Sequence, residues 1–309
     1  MDFYALKTLV FAGGGSRGIA YVGALQELRD ADGIDFGLGR PRLSTVSGVS
    51  VGTIFALLIA LQYSVAEITF IASGMKNADV LDQDPMRLLK GELSFSSSDK
   101  LKSFIGNLLV KRNLPVDLTF QQLYEKNSID LHVVVSDLTS AGVQHIDRYS
   151  YPNLMISTGM IASMSLPLLY PPVVSPEGHQ WVDGGLLENY PAMRFAPDTL
   201  LGFDFSFTPD PKFDSLFSYI TRIINVQQVP ADVMQWRVLP ENHKSRTIII
   251  NTDTISTISG TLQEMTPEIR KMLLKHGAQA VKNYKQGMKQ TLPGIINNID
   301  ASILPTYLQ

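Results

Sequence analysis

The sequence predicts an α/β fold with a central, mostly parallel or mixed sheet, in a single domain over residues 1–309. Three observations lead there. Short apolar runs of strand length alternate with stretches at helical spacing, and twice a glycine cluster sits at the strand-to-helix turn. A composition of 45% hydrophobic and 18% charged residues supports a packed core in a chain of 309. The longest strongly apolar run, from Ile54 to Leu61, is about half of what a bilayer span needs and suits a buried helix.

Taken in order, residues 6–12 read as a buried strand that ends in Gly13-Gly14-Gly15-Ser16-Arg17-Gly18. Residues 19–30 follow as a helix, with Ile19, Val22, Leu25 and Leu28 on one face. Residues 43–47 form a second strand, which runs through Gly48-Val49-Ser50-Val51-Gly52 into an apolar helix over 53–62. Residues 63–130 are mostly helical in pattern, with breaks at Gly74, Pro85 and Gly91, and read as a helical cover or lid over the sheet. Residues 129–136 are a strand, 153–157 a short strand or loop, and 160–165 a short helix before Pro167. A strand at 180–182 leads into Asp183-Gly184-Gly185, and further strands are predicted at 200–206 and 246–251. A last helix starts near Thr266, with Pro267 in its first turn, and extends to about Lys289. Ile269, Leu273, Ala280, Tyr284 and Met288 form its apolar stripe, and its lysines lie mostly off that stripe. The first reading of that basic face is a solvated surface; the second is a surface for anionic lipid headgroups.

Composition excludes several functions. A formal charge of −3 gives no reason to expect nucleic acid as a partner. The absence of cysteine removes disulfides, thiolate catalysis and thiolate metal sites. Asp79, Asp82 and Asp84 read as turn or helix-start residues, and no spacing of acids predicts a metal site. The N-terminal residues lack a basic leader and a cleavage pattern, so no cleaved signal peptide is expected. That points to a cytoplasmic protein with peripheral membrane contact, or to export by a route without a cleaved signal.

Ser50 is the candidate nucleophile. Gly-X-Ser-X-Gly needs small residues because the serine sits on a tight strand-to-helix turn where neighbouring side chains would clash. The helix N-terminus beyond it favours the negative charge that develops in acyl transfer. The first glycine cluster admits two readings. Gly13-X-Gly15-X-X-Gly18 fits a dinucleotide fingerprint, with Asp30, Asp32 or Asp35 near the ribose position. Successive backbone N–H groups in the same cluster also suit an oxyanion hole. No Lys-Ser/Thr pair ends it, so it is not a Walker A loop. The base is open between two kinds of residue. Of the five histidines, His132 lies inside a strand, His145 and His179 at loops or strand edges, and His243 in a polar, exposed-looking segment. His276 falls in the last helix, and the usual α/β-hydrolase order favours a late histidine, His243 or His276. Asp183, between a strand and two glycines, is the alternative if burial raises its basicity.

Three blocks in this order resemble the patatin-like phospholipase family. Gly13 to Gly18 looks like its oxyanion loop, Gly48 to Gly52 its nucleophile elbow, and Asp183-Gly184-Gly185 its aspartate block. Ile161 to Pro167, Tyr170, Pro172 and Asn189-Tyr190-Pro191 also fit, so the resemblance covers about residues 6–205. It implies a three-layer α/β/α fold with a Ser50–Asp183 dyad and no catalytic histidine. The oxyanion donors would come from Gly14, Gly15 and Ser16, with Gly13, Arg17, Gly18, Gly48, Gly52, Gly184 and Gly185 in support. The implied reaction is hydrolysis of fatty-acyl esters in phospholipids, lysophospholipids or other acyl-ester lipids, met at a membrane or micelle surface without metal or cofactor. No protein activator is named by it. Arg17 would order the loop, meet a lipid phosphate or form a purely structural salt bridge, and residues 166–174 would line an acyl pocket or form core. Outside the match lie the cover at about 63–130 and a C-terminal extension at about 206–309.

Overall fold

Neighbouring residues of the first strand already belong to two cores. In β1 (Thr8–Phe11), Leu9 and Phe11 join a large core, while Val10 and the following Ala12 join a smaller one with Tyr190, Trp236 and Ile249. Side chains of a strand alternate between faces, so the sheet is covered on both sides. The computed structural model describes residues 2–82, 84, 86–206, 219, 223, 232, 234–252 and 265–288.

The strands are β1, β2 (Thr45–Gly48), β3 (Asp130–Asp137), β4 (Gly142–Ile146), β5 (Val173–Val174), β6 (Gln180–Asp183), β7 (Leu200–Ser206) and β8 (Thr247–Asn251). Among the described residues they form one mixed sheet. β1, β2, β3, β7 and β8 are parallel, and β4, β5 and β6 add antiparallel pairings.

The register around β3 decides where the site lies. Val133 pairs with both Ile146 of β4 and Gly48 of β2. Val135 pairs with both Gln144 of β4 and Asp183 of β6. A strand residue has one neighbour on each edge, so β4 takes one edge of β3, and β2 and β6 share the other. β2 runs parallel to β3 and β6 antiparallel, so their C-terminal ends point at each other. Gly48 and Asp183 then sit opposite residues only two apart.

The helices are α1 (Ile19–Asp32), α2 (Gly52–Ala60), α3 (Val65–Gly74), α4 (Met86–Leu89), α5 (Asp99–Val110), α6 (Phe120–Asn127), α7 (Ile156–Ser163), α8 (Glu241–Lys244) and α9 (Pro267–Lys285). Residues 63–130 hold α3 to α6, tied down by Tyr63 Oη to Leu108 O, Phe95 N to Leu168 O and Tyr170 Oη to Val80 O. α1 and α9 cross closely: a Cβ on Gly23 would meet Leu274 O at 1.9 Å, and one on Gly277 would meet Ala20 O at 1.8 Å. β8 and α9, both beyond residue 206, therefore complete the sheet and the core. Several basic groups of α9 are spent internally, Lys282 on Glu27, Lys285 on Asp32, and Arg270 on the carbonyls of Ala72 and Met75. Lys271 and Lys275 are exposed.

Some elements depart from the sequence expectation. Residues 153–155 are loop and α7 begins at Ile156, four residues earlier than expected. Nearly all of α7 is buried, so its apolar residues show no amphipathic period. β4 and β5 were not expected; β4 is half-exposed and β5 has two residues. α9 ends at Lys285, and Lys289 lies outside the described residues.

Candidate active site

Ser50 stands between the end of β2 and the start of α2 with φ at +50°, a left-handed conformation that non-glycine residues seldom adopt. The turn is possible because its neighbours lack side chains. A Cβ on Gly48 would lie 2.4 Å from Gly52 O, and one on Gly52 would lie 2.4 Å from Phe11 O. Hydrogen bonds hold the strained residue from both sides. Ser50 N donates to Ser163 Oγ at 3.0 Å, and Thr53 Oγ1 donates to Ser50 O at 2.7 Å. Ser163 is fully buried in α7.

The meeting of β2 and β6 brings Ser50 to Asp183. Ser50 Oγ donates to Asp183 Oδ2 at 2.7 Å, and Gly185 N donates to Asp183 Oδ1 at 2.8 Å. Asp183 N donates to Ser165 O, which pins its backbone. Gly184 has to be glycine, since a Cβ there would lie 2.3 Å from Val134 O. Asp183 is 4% exposed. Burial pushes its pKa from 3.8 to about 6, against the opposing hydrogen bonds from Ser50 and Gly185. The carboxylate is thus more basic than a solvated one and is ionised at neutral pH.

The first glycine cluster passes beside Ser50. A Cβ on Gly13 would lie 3.2 Å from Ser50 Cβ, and one on Gly14 would strike the Phe205 ring. Gly15 has φ at +54°. The loop is held by Gly13 N to Asn189 O, Tyr21 Oη to Ala12 O at 2.7 Å, and Arg17 Nε to Gly14 O at 3.1 Å. Among the described residues, the N–H groups of Gly14, Gly15 and Ser16 make no hydrogen bond. Arg17 is buried, with its guanidinium 5.1 Å from the centre of the Phe205 ring. Burial lowers its pKa to about 10, so it stays charged. Its Nε contact is with the loop carbonyl, which favours the loop-ordering reading over contact with a lipid phosphate. A Cβ on Gly18 would press on Val51 at 2.8 Å, so this glycine lets α1 and α2 start side by side.

A cavity of about 150 Å³ opens over these groups. Gly14, Gly15, Ser50, Asp183 and Asn189 form its polar side, and Val80, Leu81, Leu166, Leu169 and Tyr170 its apolar side. Residues 166–170 thus supply wall as well as core. No histidine lines the cavity among the described residues.

The histidines have other partners. His132 is buried, bonds Ser47 Oγ through Nδ1, and is pushed to about 3 by burial, so it is neutral. His145 meets Glu188, His179 meets Asp137, and His276 Nδ1 lies 2.6 Å from Asn251 O. His243, read as exposed, is buried with Nε2 at 3.0 Å from Phe195 O. The polar residues around it remain at the surface while the ring turns inward onto a free carbonyl. Asp79 and Asp84 accept from Lys76 N and Met86 N, as local turn residues do, whereas Asp82 reaches across to Ser97 Oγ and Lys100. No group of three or more acids and histidines that could hold a metal ion occurs among the described residues.

The dinucleotide reading fares poorly on geometry. Asp30 and Asp32 lie at the far end of the 14-residue α1, about 20 Å from the glycine turn. Asp32 pairs with Lys285, and Asp35 accepts from Val65 N. The end of β2, where a ribose-binding acid belongs, carries the Ser50 turn instead.

The Ser163 contact was not foreseen, because Ser163 lies 113 residues from Ser50 and has no local signature. Ser163→Ala leaves Ser50 N without an acceptor. Unfolding by urea is expected to show a loss of about 1–3 kcal/mol. Ester hydrolysis is expected to fall about tenfold as the Ser50 turn relaxes.

Residues 9–196 match the family profile described as patatin-like phospholipase. An uncharacterized protein of Acanthamoeba polyphaga mimivirus is 33% identical over 196 residues, covering 62% of this chain and 62% of its own. A probable lipid hydrolase of Invertebrate iridescent virus 6 is 27% identical over 190 residues, covering 60% of this chain and 61% of its own. This chain thus spans about three fifths of the length of these two relatives. The crystal structure of VipD from Legionella pneumophila shares the fold, with a TM-score of 0.61 at 19% identity over 92% of this chain and 67% of that one.

Proposed function

The chain belongs to the patatin-like phospholipase family, and on that premise we propose that it hydrolyses fatty-acyl esters of phospholipids or lysophospholipids through Ser50 and Asp183. The observation that carries this reading is the 2.7 Å bond from Ser50 Oγ to a buried carboxylate of raised pKa.

Asp183 takes the Ser50 proton as Oγ attacks the ester carbonyl carbon. The N–H groups of Gly14, Gly15 and Ser16 supply donors for the oxyanion that forms, and they carry no competing hydrogen bond to other described residues. The C–O bond to the alcohol breaks, and Asp183 returns the proton to the leaving oxygen. Water then attacks the acyl-Ser50 ester, giving its proton to Asp183, and the collapse frees the fatty acid as Asp183 passes that proton to Ser50 Oγ, regenerating both groups. Each step uses one proton and needs no metal.

No helix among the described residues is long and apolar enough to cross a membrane. The proposed substrates reside in bilayers or micelles, and we propose that the chain meets them at such a surface.

The test is a lipid panel. Wild type and Ser50→Ala are incubated with phospholipids, lysophospholipids, triacylglycerol and a short p-nitrophenyl ester, and released acids are identified by mass spectrometry. Wild type is expected to release fatty acid from phospholipid or lysophospholipid, with background release by the variant. Equal release by both proteins would remove Ser50 from the reaction. Release from no lipid by wild type would leave a lipid-binding role on the same fold.

A further inference from the structure

We infer that the scissile acyl chain enters a second, inner chamber that runs along α2 away from Ser50, and that this chamber sets the accepted chain length. The inference rests on the acyl-hydrolase reading of Ser50.

The chamber, about 60 Å³, adjoins the Ser50 cavity. The two share a wall made of Gly15, Ser16, Val51, Ile54, Met75 and Asn77. Past that neck the lining is apolar: Phe55 and Leu58 of α2, Ile71 and Ala72 of α3, and Phe104 of α5. Arg270 is the charged residue at its edge, and its guanidinium is turned to the carbonyls of Ala72 and Met75 at the end of α3.

The direction of the chamber follows from helix geometry. Val51, Ile54, Phe55 and Leu58 stand at i, i+3, i+4 and i+7, one stripe of a helix surface. From Val51 to Leu58 that stripe is about 10 Å long at the rise of an α-helix. Ser50 immediately precedes its first residue, so an acyl group esterified to Ser50 begins at the top of the stripe. The polar groups, Gly15, Ser16 and Asn77, are at the neck, where the ester lies; the apolar ones are beyond, where the methylenes lie.

Native interiors leave few voids, because lining atoms at a void lose their contacts. A mostly apolar lining of this kind favours an apolar ligand. Beyond the shared wall the chamber is therefore suited to an alkyl chain. The outer apolar wall, with Val80, Leu81, Leu169 and Tyr170, is left to the alcohol half of the substrate.

Two substitutions test this in opposite directions. Ala72→Leu fills the chamber from a helix position that tolerates leucine, and Phe104→Ala enlarges it. The readouts are the ratio of palmitate to acetate p-nitrophenyl ester hydrolysis, and displacement of a fluorescent fatty acid by palmitate from the Ser50→Ala protein. Ala72→Leu is expected to lower the hydrolysis ratio by about tenfold or more and to weaken palmitate binding; Phe104→Ala is expected to raise the ratio. Folded variants that both keep the wild-type ratio and palmitate affinity would overturn the inference. So would a ratio that moves with Leu169→Ala and with neither chamber variant. If wild type cleaves no ester, the hydrolase reading fails, and the binding arm still decides. Palmitate binding weakened by Ala72→Leu upholds the chamber, and absent or equal binding refutes it.

Discussion

Asp183→Asn is expected to yield a protein that folds more stably than wild type and hydrolyses esters about 10³-fold more slowly. Both effects come from one geometry. The asparagine keeps the shape and an acceptor for Gly185 N, but it cannot take the Ser50 proton. The stability change follows from linkage. Burial raises the native pKa of Asp183 from 3.8 to about 6, so the native state binds this proton more tightly than the unfolded chain. The ionised carboxylate therefore burdens the native state above pH 6, and the burden is relieved as pH falls from about 6 towards 3.8. At neutral pH it amounts to about 3 kcal/mol for this nearly fully buried group, an upper figure for what the asparagine can recover. Urea titration at pH 7.5 checks the gain, and the gain should shrink as the pH is lowered. The same pKa sets the rate profile of wild type. The base must be ionised, so kcat/KM is expected to fall below about pH 6, tenfold per pH unit. A variant that is less stable than wild type, or a profile flat to pH 4.5, would contradict this account of the carboxylate.

Gly277→Val is expected to destabilise the fold by about 3 kcal/mol or more. The reason lies in the backbone. A Cβ on Gly277 would stand 1.8 Å from Ala20 O, and no rotamer of α1 can move a carbonyl of its own first turn. The helices must separate, which opens the core around Leu25, Leu28, Leu273 and Val281. Because α1 starts directly after the loop at residues 13–18, this separation disturbs the loop as well. Urea unfolding and ester hydrolysis are expected to fall together, unlike Asp183→Asn, in which they part. Gly33→Ala, at an open position with φ of +69°, provides the comparison: backbone strain without a collision, costing about 1 kcal/mol.

What was readable in the sequence was what local chain geometry dictates. The Ser50 turn needs glycine at 48 and 52, so the pentapeptide and its flanking apolar runs announce it. The parallel strands at 8–11 and 200–206 appear as short, mostly apolar runs because both faces are buried. Long-range register left no such trace. Ser50 and Asp183 are 133 residues apart, and they meet because β2 and β6 share one edge of β3. From the residues alone a histidine base stood equal in kind to Asp183, and only the family resemblance favoured the carboxylate. Gly23 and Gly277 were invisible for a related reason. A glycine inside a helical pattern reads as a weak helix former, and its use as a crossing point appears only when the second helix is in place. Ser163 likewise had no signal of its own beyond lying in the segment from Ile161 to Pro167.

The central claim is that Ser50 is a nucleophile activated by Asp183. Covalent reaction with a fluorophosphonate tests it most directly, followed by peptide mapping of the adduct in wild type, Ser50→Ala and Asp183→Asn. The account expects one adduct per chain on Ser50 in wild type, none in Ser50→Ala, and labelling slowed by orders of magnitude in Asp183→Asn. A folded, ester-cleaving wild type that carries no adduct at Ser50, or an Asp183→Asn protein that labels at the wild-type rate, would contradict it.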